Sequence, residues 1–231
     1  MWARQRKSKP AFCICKHANL SGTAVFLRNI YLISAHVVTA CPESQFRSAT
    51  GFDFMNYAKI KWYDVSNGPG VRISLYVSGC RNHCKNCFNP ETWDFGYGKP
   101  FTEEVENSIL EGLKPDYIKG LTLLGGDPFE PENAEVLAPF MEKLRAVYPE
   151  KSFWCFTGYD FEADLLTGKK AKIGTVMRIL NSLDVLVDGR FVEELKDLNL
   201  LFRGSSNQRI ILVKPSLESD KVVVWDEKTP V

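Results

Sequence analysis

The feature that most constrains the fold is an alternation of short apolar segments with helix-like segments that begins near Met55. The apolar segments have the length and composition of strands, and they cover 71–77, 121–124, 152–157, 184–187 and 208–213. The helix-like segments between them cover 102–113, 133–148 and 171–181. This order predicts parallel strands that are joined by helical crossovers.

The number of these units predicts how far the sheet closes. Five or six strand–helix units do not complete an eight-stranded barrel. We therefore predict an α/β fold, an open, partial (β/α) barrel of about five to six parallel strands. The chain of 231 residues is 45% hydrophobic and 25% charged, which suits one globular domain, and we assign that domain to 55–231. In parallel α/β folds, ligands bind where the strands end.

Residues 1–54 differ in composition from the rest of the chain. They contain seven basic and two acidic residues and show no clear periodicity, so we predict a poorly structured N-terminal extension. One interpretation is a segment that is not part of the native protein, because the alternation of strand-like and helix-like segments begins near Met55. The other is a targeting peptide, although Arg28 and His36 interrupt its apolar stretch.

Charge and cysteine usage exclude several classes of protein. The net charge is +1 and no uninterrupted run of about 18 apolar residues exists, so neither a nucleic acid nor a membrane is an expected partner. Seven cysteines without regular spacing do not read as a secreted disulfide framework. We therefore expect a reducing compartment, the cytoplasm.

Three of these cysteines stand close together directly after the first predicted strand. Cys80, Cys84 and Cys87 have the spacing C-x3-C-x2-C. A structural zinc site needs four protein ligands, and an iron–sulfur cube that only carries electrons needs four thiolates, so three thiolates leave one metal position open. The alternative is a zinc loop with His83 as fourth ligand. Cys155 lies in the middle of a predicted strand, where a free cysteine is usually a small hydrophobic residue.

Two other polar turns lie where predicted strands end or begin. Gly125-Gly126-Asp127-Pro128 follows the strand 121–124. Glycines let a ligand approach the backbone closely, and a backbone edge beside a carboxylate suits an ammonium or amino-acid group. The loop 203–209 is rich in donors that could meet carboxylates or peptide backbone. The alternatives are an ordinary tight turn and a solvated surface loop.

Together these motifs resemble the radical S-adenosylmethionine (SAM) superfamily, in which C-x3-C-x2-C is followed by an aromatic residue and, after the next strand, by a Gly-Gly-acidic turn. Over 55–208 the chain resembles more specifically the anaerobic ribonucleoside-triphosphate reductase-activating proteins, which also have Asp in that turn. The stretches that carry this resemblance are Asn67–Gly70, Cys87–Trp93, Gly125–Pro128, Trp154–Tyr159, Leu186–Phe191 and Arg203–Gln208.

The resemblance implies two cofactors and their ligands. Cys80, Cys84 and Cys87 would hold one [4Fe–4S] cluster, and the open iron would bind SAM. The residues implied to contact SAM are Asn86, Cys87, Phe88, Gly125, Gly126 and Asp127. Further candidates, for SAM or for a loop of the partner protein, are Arg72, Asp188, Arg203 and Asn207.

The resemblance also implies an activity and its partners. An electron from a reduced flavodoxin-like or ferredoxin-like donor would cleave SAM, and the resulting 5′-deoxyadenosyl radical would generate a glycyl radical on the large subunit of the anaerobic reductase. One alternative is an activator of another glycyl-radical enzyme, such as formate lyase. Another is a non-catalytic iron–sulfur or zinc-binding subunit. No run of additional cysteines follows Cys87, which argues against activators with several clusters.

Overall fold

The computed structural model of the chain describes residues 54–226. Both interpretations of the N-terminal extension concern residues 1–54, of which 1–53 lie outside the described range, so they stay predictions.

The described residues form one mixed sheet of seven strands. The strands are β1 Asn56–Asp64, β2 Val71–Val77, β3 Lys99–Pro100, β4 Ile118–Gly125, β5 Ser152–Phe156, β6 Val185–Asp188 and β7 Arg209–Leu212. Their order across the sheet is β3-β1-β2-β4-β5-β6-β7. The four strands β2, β4, β5 and β6 are parallel to one another, and β1, β3 and β7 pair antiparallel with their neighbours.

This topology confirms the α/β class and corrects the number of parallel strands. We expected five or six, and the structure has four. The strand predicted at 208–213 runs antiparallel to β6 because no helical crossover lies between Asp188 and Arg209. A reversal of direction needs no crossover, whereas a parallel pair does. Strand β1 was not predicted. The curvature of a partial barrel stays a prediction.

Three helices lie between successive parallel strands, as the alternation predicted, and a short fourth helix follows β7. They are α1 Glu103–Leu113, α2 Pro131–Val147, α3 Ile173–Ser182 and the short α4 Val213–Ser219. Successive side chains of a strand face opposite sides of the sheet. On β2, Ile73, Leu75 and Val77 belong to the main apolar core, which also contains the buried side chains of α1, α2 and α3.

The opposite face of the sheet is partly apolar and partly polar. Trp154, Val185, Val187 and Ile210 form a second, smaller apolar cluster there. On β2 the same face carries Arg72, Ser74 and Tyr76, which are all buried. This face of the sheet therefore carries buried polar side chains beside the smaller apolar cluster. No helix among residues 54–226 is both long and apolar enough to cross a membrane.

Candidate cofactor site

The cysteine loop begins where β2 ends and is fixed by backbone hydrogen bonds to the turn of 3-10 helix at Pro90–Trp93. The N–H of Gly79 donates to the carbonyl of Thr92 at 2.8 Å, and that of Cys80 donates to Trp93 at 3.2 Å. Cys80 is buried, whereas Cys84 and Cys87 are half-buried. The loop therefore holds one thiol deep in the protein and two near the surface.

All three thiols line one cavity of about 620 Å³, which lies at the carboxyl ends of the parallel strands. Of the predicted SAM contacts, Phe88, Gly125, Gly126 and Asp127 line the same cavity, as does Arg203. Asn86 does not line it, but it lies next to Cys87 and has a positive φ of 53°. The structure thus brings together motifs that are up to 123 residues apart in the chain, from Cys80 to Arg203.

The Gly-Gly turn packs directly against the backbone of the cysteine loop. Gly126 donates its N–H to the carbonyl of Val77 at 2.8 Å. A Cβ at position 126 would lie 2.5 Å from the carbonyl oxygen of Gly79. Gly125 has a φ of 108°, which side chains rarely adopt. Both glycines are therefore required by the close approach of β4 to the cysteine loop.

The carboxylate of Asp127 joins three loops. It is buried and accepts hydrogen bonds from Asn82 Nδ2 at 3.0 Å, Thr157 Oγ1 at 2.8 Å and the N–H of Gly158 at 2.9 Å. The N–H of Phe129 donates to it as well, at 3.0 Å. Burial raises the pKa of Asp127 to about 7, although these donors oppose the shift. Asp127 thus ties the cysteine loop to the turns that follow β4 and β5.

A second buried carboxylate, Glu130, holds the neighbouring residue of the loop. It accepts a hydrogen bond from the N–H of Arg81 at 2.6 Å and another from the hydroxyl of Tyr159 at 2.7 Å. The guanidinium of Arg81 forms ion pairs with Glu130 and Glu132, both at 2.5 Å. Glu130 in the β4–α2 connection and Glu132 at the start of α2 therefore hold Arg81, directly after the first cysteine.

Burial and charge both disfavour a free thiolate at Cys80. Burial raises its pKa to about 12, and the charges of Asp127 and Glu130 contribute to the shift. A metal that binds there must displace the thiol proton and supply the positive charge that stabilises the thiolate. Cys155 differs, because it lies on β5 in the main core, and burial raises its pKa well above the usual range. It is a core residue, as the sequence predicted.

Two aromatic side chains, Phe88 and Phe191, line the same cavity as the cysteines. The rings of Phe88 and Phe191 lie 5.2 Å apart between centroids. A Cβ at Gly204 would lie 3.2 Å from Phe88 and 3.1 Å from Phe191, so the loop passes very close to both rings. Gln208 holds this loop in place, since its Oε1 accepts from the N–H of Gly204 at 2.8 Å.

Arg72 does not line the cavity. It is 1% exposed and donates to Thr122 Oγ1 at 2.9 Å and to the carbonyl oxygen of Ser152 at 2.7 Å. These partners lie on β4 and at the start of β5, so Arg72 joins neighbouring strands. Burial lowers its pKa to about 10. We therefore assign Arg72 a structural role.

The other three candidate contacts lie near the cavity or in an adjoining one. Asp188 and Asn207 line a neighbouring cavity of about 480 Å³. Asp188 is buried, accepts from the N–H of Phe161 at 2.9 Å and is paired with Arg209. Arg203 donates from Nη1 to the carbonyl of Gln208 at 2.8 Å. Its buried Nε has no hydrogen-bond partner among residues 54–226, so Arg203 has a donor to spare at the cavity wall.

Known proteins with related sequences match most of the described part of the chain. The family model of a 4Fe-4S single cluster domain matches residues 66–211. The anaerobic ribonucleoside-triphosphate reductase-activating protein of Pasteurella multocida is 43% identical over 159 residues, which are 68% of this chain and 96% of that protein. The protein of the same name from Escherichia coli K12 is 41% identical over 67% of this chain and 96% of its own length. That of phage T4 is 38% identical over 68% of this chain and 93% of its own.

The chain belongs to the family of anaerobic ribonucleoside-triphosphate reductase-activating proteins. The resemblance that the motifs indicated is thereby confirmed, as is an iron–sulfur domain of the single-cluster type.

The three thiols are not grouped as closely as the sulfur ligands of a single zinc ion. Four sulfurs around one tetrahedral zinc ion would lie about 3.8 Å apart, given a Zn–S distance of about 2.3 Å. Within residues 54–226, only Asp160, Glu162 and Asp188 have three potential ligand atoms all within 4.8 Å of one another, and the three thiols do not. Thiolates of a cube bind different iron atoms, so a wider spacing is expected of them. Arg209 pairs with all three of those acids, which accounts for that cluster.

Several residues of the site escaped sequence reasoning. Glu130 and Asn82 carry no local signal, because their partners lie 49 and 45 residues away in the chain. Thr157 and Gly158 are part of a stretch that carried the family resemblance, but that stretch did not show that they donate to Asp127.

Proposed function

We propose that the protein generates a glycyl radical on an anaerobic ribonucleoside-triphosphate reductase by reductive cleavage of SAM at a [4Fe–4S] cluster. The observation that supports this most strongly is one cavity that holds three thiols and the Gly125-Gly126 turn in a chain whose relatives are named activating proteins of that reductase.

Cys80, Cys84 and Cys87 are the residues that would hold the cluster. The bound cluster would pass one electron, received from a reduced flavodoxin-like or ferredoxin-like donor, to SAM. SAM would then be cleaved to methionine and a 5′-deoxyadenosyl radical, and this radical would take a hydrogen atom from a glycine of the reductase. Three protein thiolates leave one iron free for a ligand other than the protein, which a cluster that only carries electrons does not require.

The protein's own residues position the ligands and keep the loop rigid. Asp127 and Glu130 hold Asn82 and Arg81, and so fix the chain on the carboxyl side of Cys80. Gly125 and Gly126 leave backbone without side chains beside the thiols, where the amino-acid end of SAM can approach closely. The spare Nε of Arg203 is a donor for a carboxylate or for a peptide carbonyl.

Aromatic side chains supply the other part of the cavity. Phe88 and Phe191 form an apolar wall that suits the adenine of SAM, with Asn86 beside Cys87. We place this reaction in the cytoplasm, because an iron–sulfur cluster with an open iron and a set of unpaired cysteines suits a reducing compartment.

The test is anaerobic reconstitution with iron and sulfide, followed by dithionite and SAM. We expect 5′-deoxyadenosine to form, and electron paramagnetic resonance to detect a glycyl radical after the reductase is added. Cys80→Ala should lose the cluster, and the matched control Cys155→Ala should keep it, because Cys155 lies in the main core.

Two outcomes would contradict the proposal. A protein that binds zinc and does not cleave SAM would be a non-catalytic subunit. A glycyl radical on formate lyase, and none on the reductase, would identify the protein as the activator of a different enzyme.

A further inference from the structure

Two lysines of β1 form a cationic patch at one margin of the cavity. Lys59 and Lys61 are alternate residues of the strand, so their side chains leave the same face of the sheet. The ammonium of Lys59 lies 4.6 Å from the centroid of the Tyr76 ring, and that of Lys61 lies 5.4 Å from it. Both lysines and Tyr76 line the cavity that contains the thiols.

This patch differs from three cations of the neighbouring loops because it lacks a paired carboxylate. Among residues 54–226, neither ammonium has a carboxylate oxygen within 4.0 Å. Around the cysteine loop the cations are paired: Arg81 with Glu130 and Glu132, Lys85 with Glu194, and Lys196 with Glu193.

The acid closest to the patch along the chain is already hydrogen-bonded. Asp64 accepts from Ser74 Oγ at 2.7 Å, from Asn67 Nδ2 at 2.5 Å and from the N–H of Ser66 at 3.0 Å. Its charge reaches Lys61, but its oxygens serve other donors. Lys61 also interacts with the side chain of Tyr76, so the two like charges are held beside one another without a paired carboxylate of their own.

The buried ring of Tyr76 supports the patch from below. Tyr76 is 5% exposed, and its hydroxyl accepts a hydrogen bond from Asn67 Nδ2 at 3.1 Å. A cation that lies over an aromatic ring gains about 0.5–1 kcal/mol at an exposed site. The lysine side chains therefore have a preferred position before any ligand arrives, which lowers the entropy that binding costs.

The patch is accessible from the outer edge of the sheet. Strand β3 pairs only with Asn56 and Tyr57, so within the described part of the chain β1 has an unpaired edge from Ala58 onwards. Both lysines are exposed, and β1 is separated by β2 from β4, where the Gly-Gly turn begins. A small ligand at the thiols would sooner contact the half-buried Arg203, whereas a macromolecule can reach the exposed Lys59 and Lys61.

We propose that Lys59 and Lys61 bind acidic side chains of the reductase segment that presents its glycine to the cavity. This inference rests on the proposed function, since it names how the same site recognises its protein substrate. Opposite charge at the margin of the cavity would steer that segment towards the thiols and fix its direction. The competing explanation is that lysines on an edge strand merely prevent pairing with other chains.

The experiment compares the charge reversal K59E/K61E with the matched control K214E/K221E. The control makes the same change of net charge at exposed lysines in and just after α4. Each reconstituted protein is titrated with the reductase at low and at high ionic strength. We expect K59E/K61E to weaken binding at least about tenfold at low salt and to lose most of the salt dependence, whereas the control stays within about twofold. K59R/K61R should restore most of the affinity.

Three outcomes would overturn the inference. If K59E/K61E binds the reductase as tightly as the control does, the two lysines do not recognise the reductase. If K59E/K61E also scatters more light, the lysines instead prevent β1 from pairing with other chains. If affinity for SAM falls instead, their ligand is the carboxylate of SAM. Failure of the proposed function is distinguishable, because then the unaltered protein also forms no glycyl radical on the reductase. Circular dichroism and iron content establish that each variant is folded and loaded.

Discussion

Replacing Asp127 by asparagine tests whether this carboxylate holds the cysteine loop. The substitution keeps the shape of the side chain and one acceptor oxygen, which can still serve Phe129 and Thr157. Its new amide nitrogen then faces two donors, Asn82 Nδ2 and the N–H of Gly158, and can accept from neither.

The expected loss follows from that count. A buried donor without an acceptor costs about 1–3 kcal/mol, so two of them cost about 2–6 kcal/mol. Above pH 7, Asp127 is ionised, since its pKa is about 7, and the variant removes one buried charge, which offsets part of the loss. We therefore expect Asp127→Asn to lower the free energy of unfolding by about 2–4 kcal/mol at pH 8.

The assay is anaerobic urea denaturation of the cluster-free protein, with iron and sulfide content measured after reconstitution. The exposed acid Asp116 supplies the control Asp116→Asn, for which a change within about 0.5 kcal/mol is expected. The variant at 127 should also bind less iron, because Asn82 no longer anchors the loop. If stability and iron content both match those of the control, Asp127 does not hold the loop, and the hydrogen bonds around it have been given too much weight.

Two further predictions concern buried charges. Arg72→Met should lower the free energy of unfolding by about 3 kcal/mol or more, because the carbonyl oxygens of Ser152 and Leu121 lose their donor. The affinity of the folded variant for SAM should not change. A selective loss of SAM affinity would contradict the structural role of Arg72. The second concerns pH. Burial raises the pKa of Asp127 from 3.8 to about 7, so between these values the folded state holds a proton that the unfolded state has released, and stability falls as pH rises through about 7. Urea titrations of the cluster-free protein from pH 5 to pH 8 should show this fall in the unaltered chain and not in Asp127→Asn. If the free energy of unfolding changes with pH equally in both proteins, the raised pKa of Asp127 is contradicted.

The parts of the fold that depend on local pattern were predicted well. The strand 71–77 agrees with β2, and the three predicted helices lie within two residues of α1, α2 and α3 at each end. The direction of β7 could not be read from its own residues, because an apolar strand has the same pattern in either direction. The useful signal lay in the connection: 189–208 contains no segment long enough for a crossover helix, so it could have predicted an antiparallel partner.

The candidate site was predicted in part. Cysteine spacing and glycine turns lie at strand ends, so the topology of parallel strands brings them to one edge of the sheet. Arg72 illustrates the limit of this reasoning. It follows the turn 67–70 closely in sequence, and a charged residue next to a motif indicates a ligand contact. Its position near the start of β2 places it away from the strand ends that form the cavity. The acceptors that bury it come from β4, which pairs with β2, and from the start of β5, which pairs with β4.

The division of polar groups around the thiols indicates how the site recognises its ligand. Asp127 and Glu130 are the two buried acids nearest to Cys80 in the β4–α2 connection, and both have their oxygens occupied by donors of the protein. An ammonium group in the cavity would therefore have to use backbone carbonyls, which the glycines at 125 and 126 leave accessible. For anionic groups, by contrast, Arg203 and the two lysines of β1 line the cavity, and among residues 54–226 none of the three is paired with a carboxylate. If the proposed function holds, two separate cationic positions would suit two separate anions, the carboxylate of SAM and acidic side chains of the protein substrate.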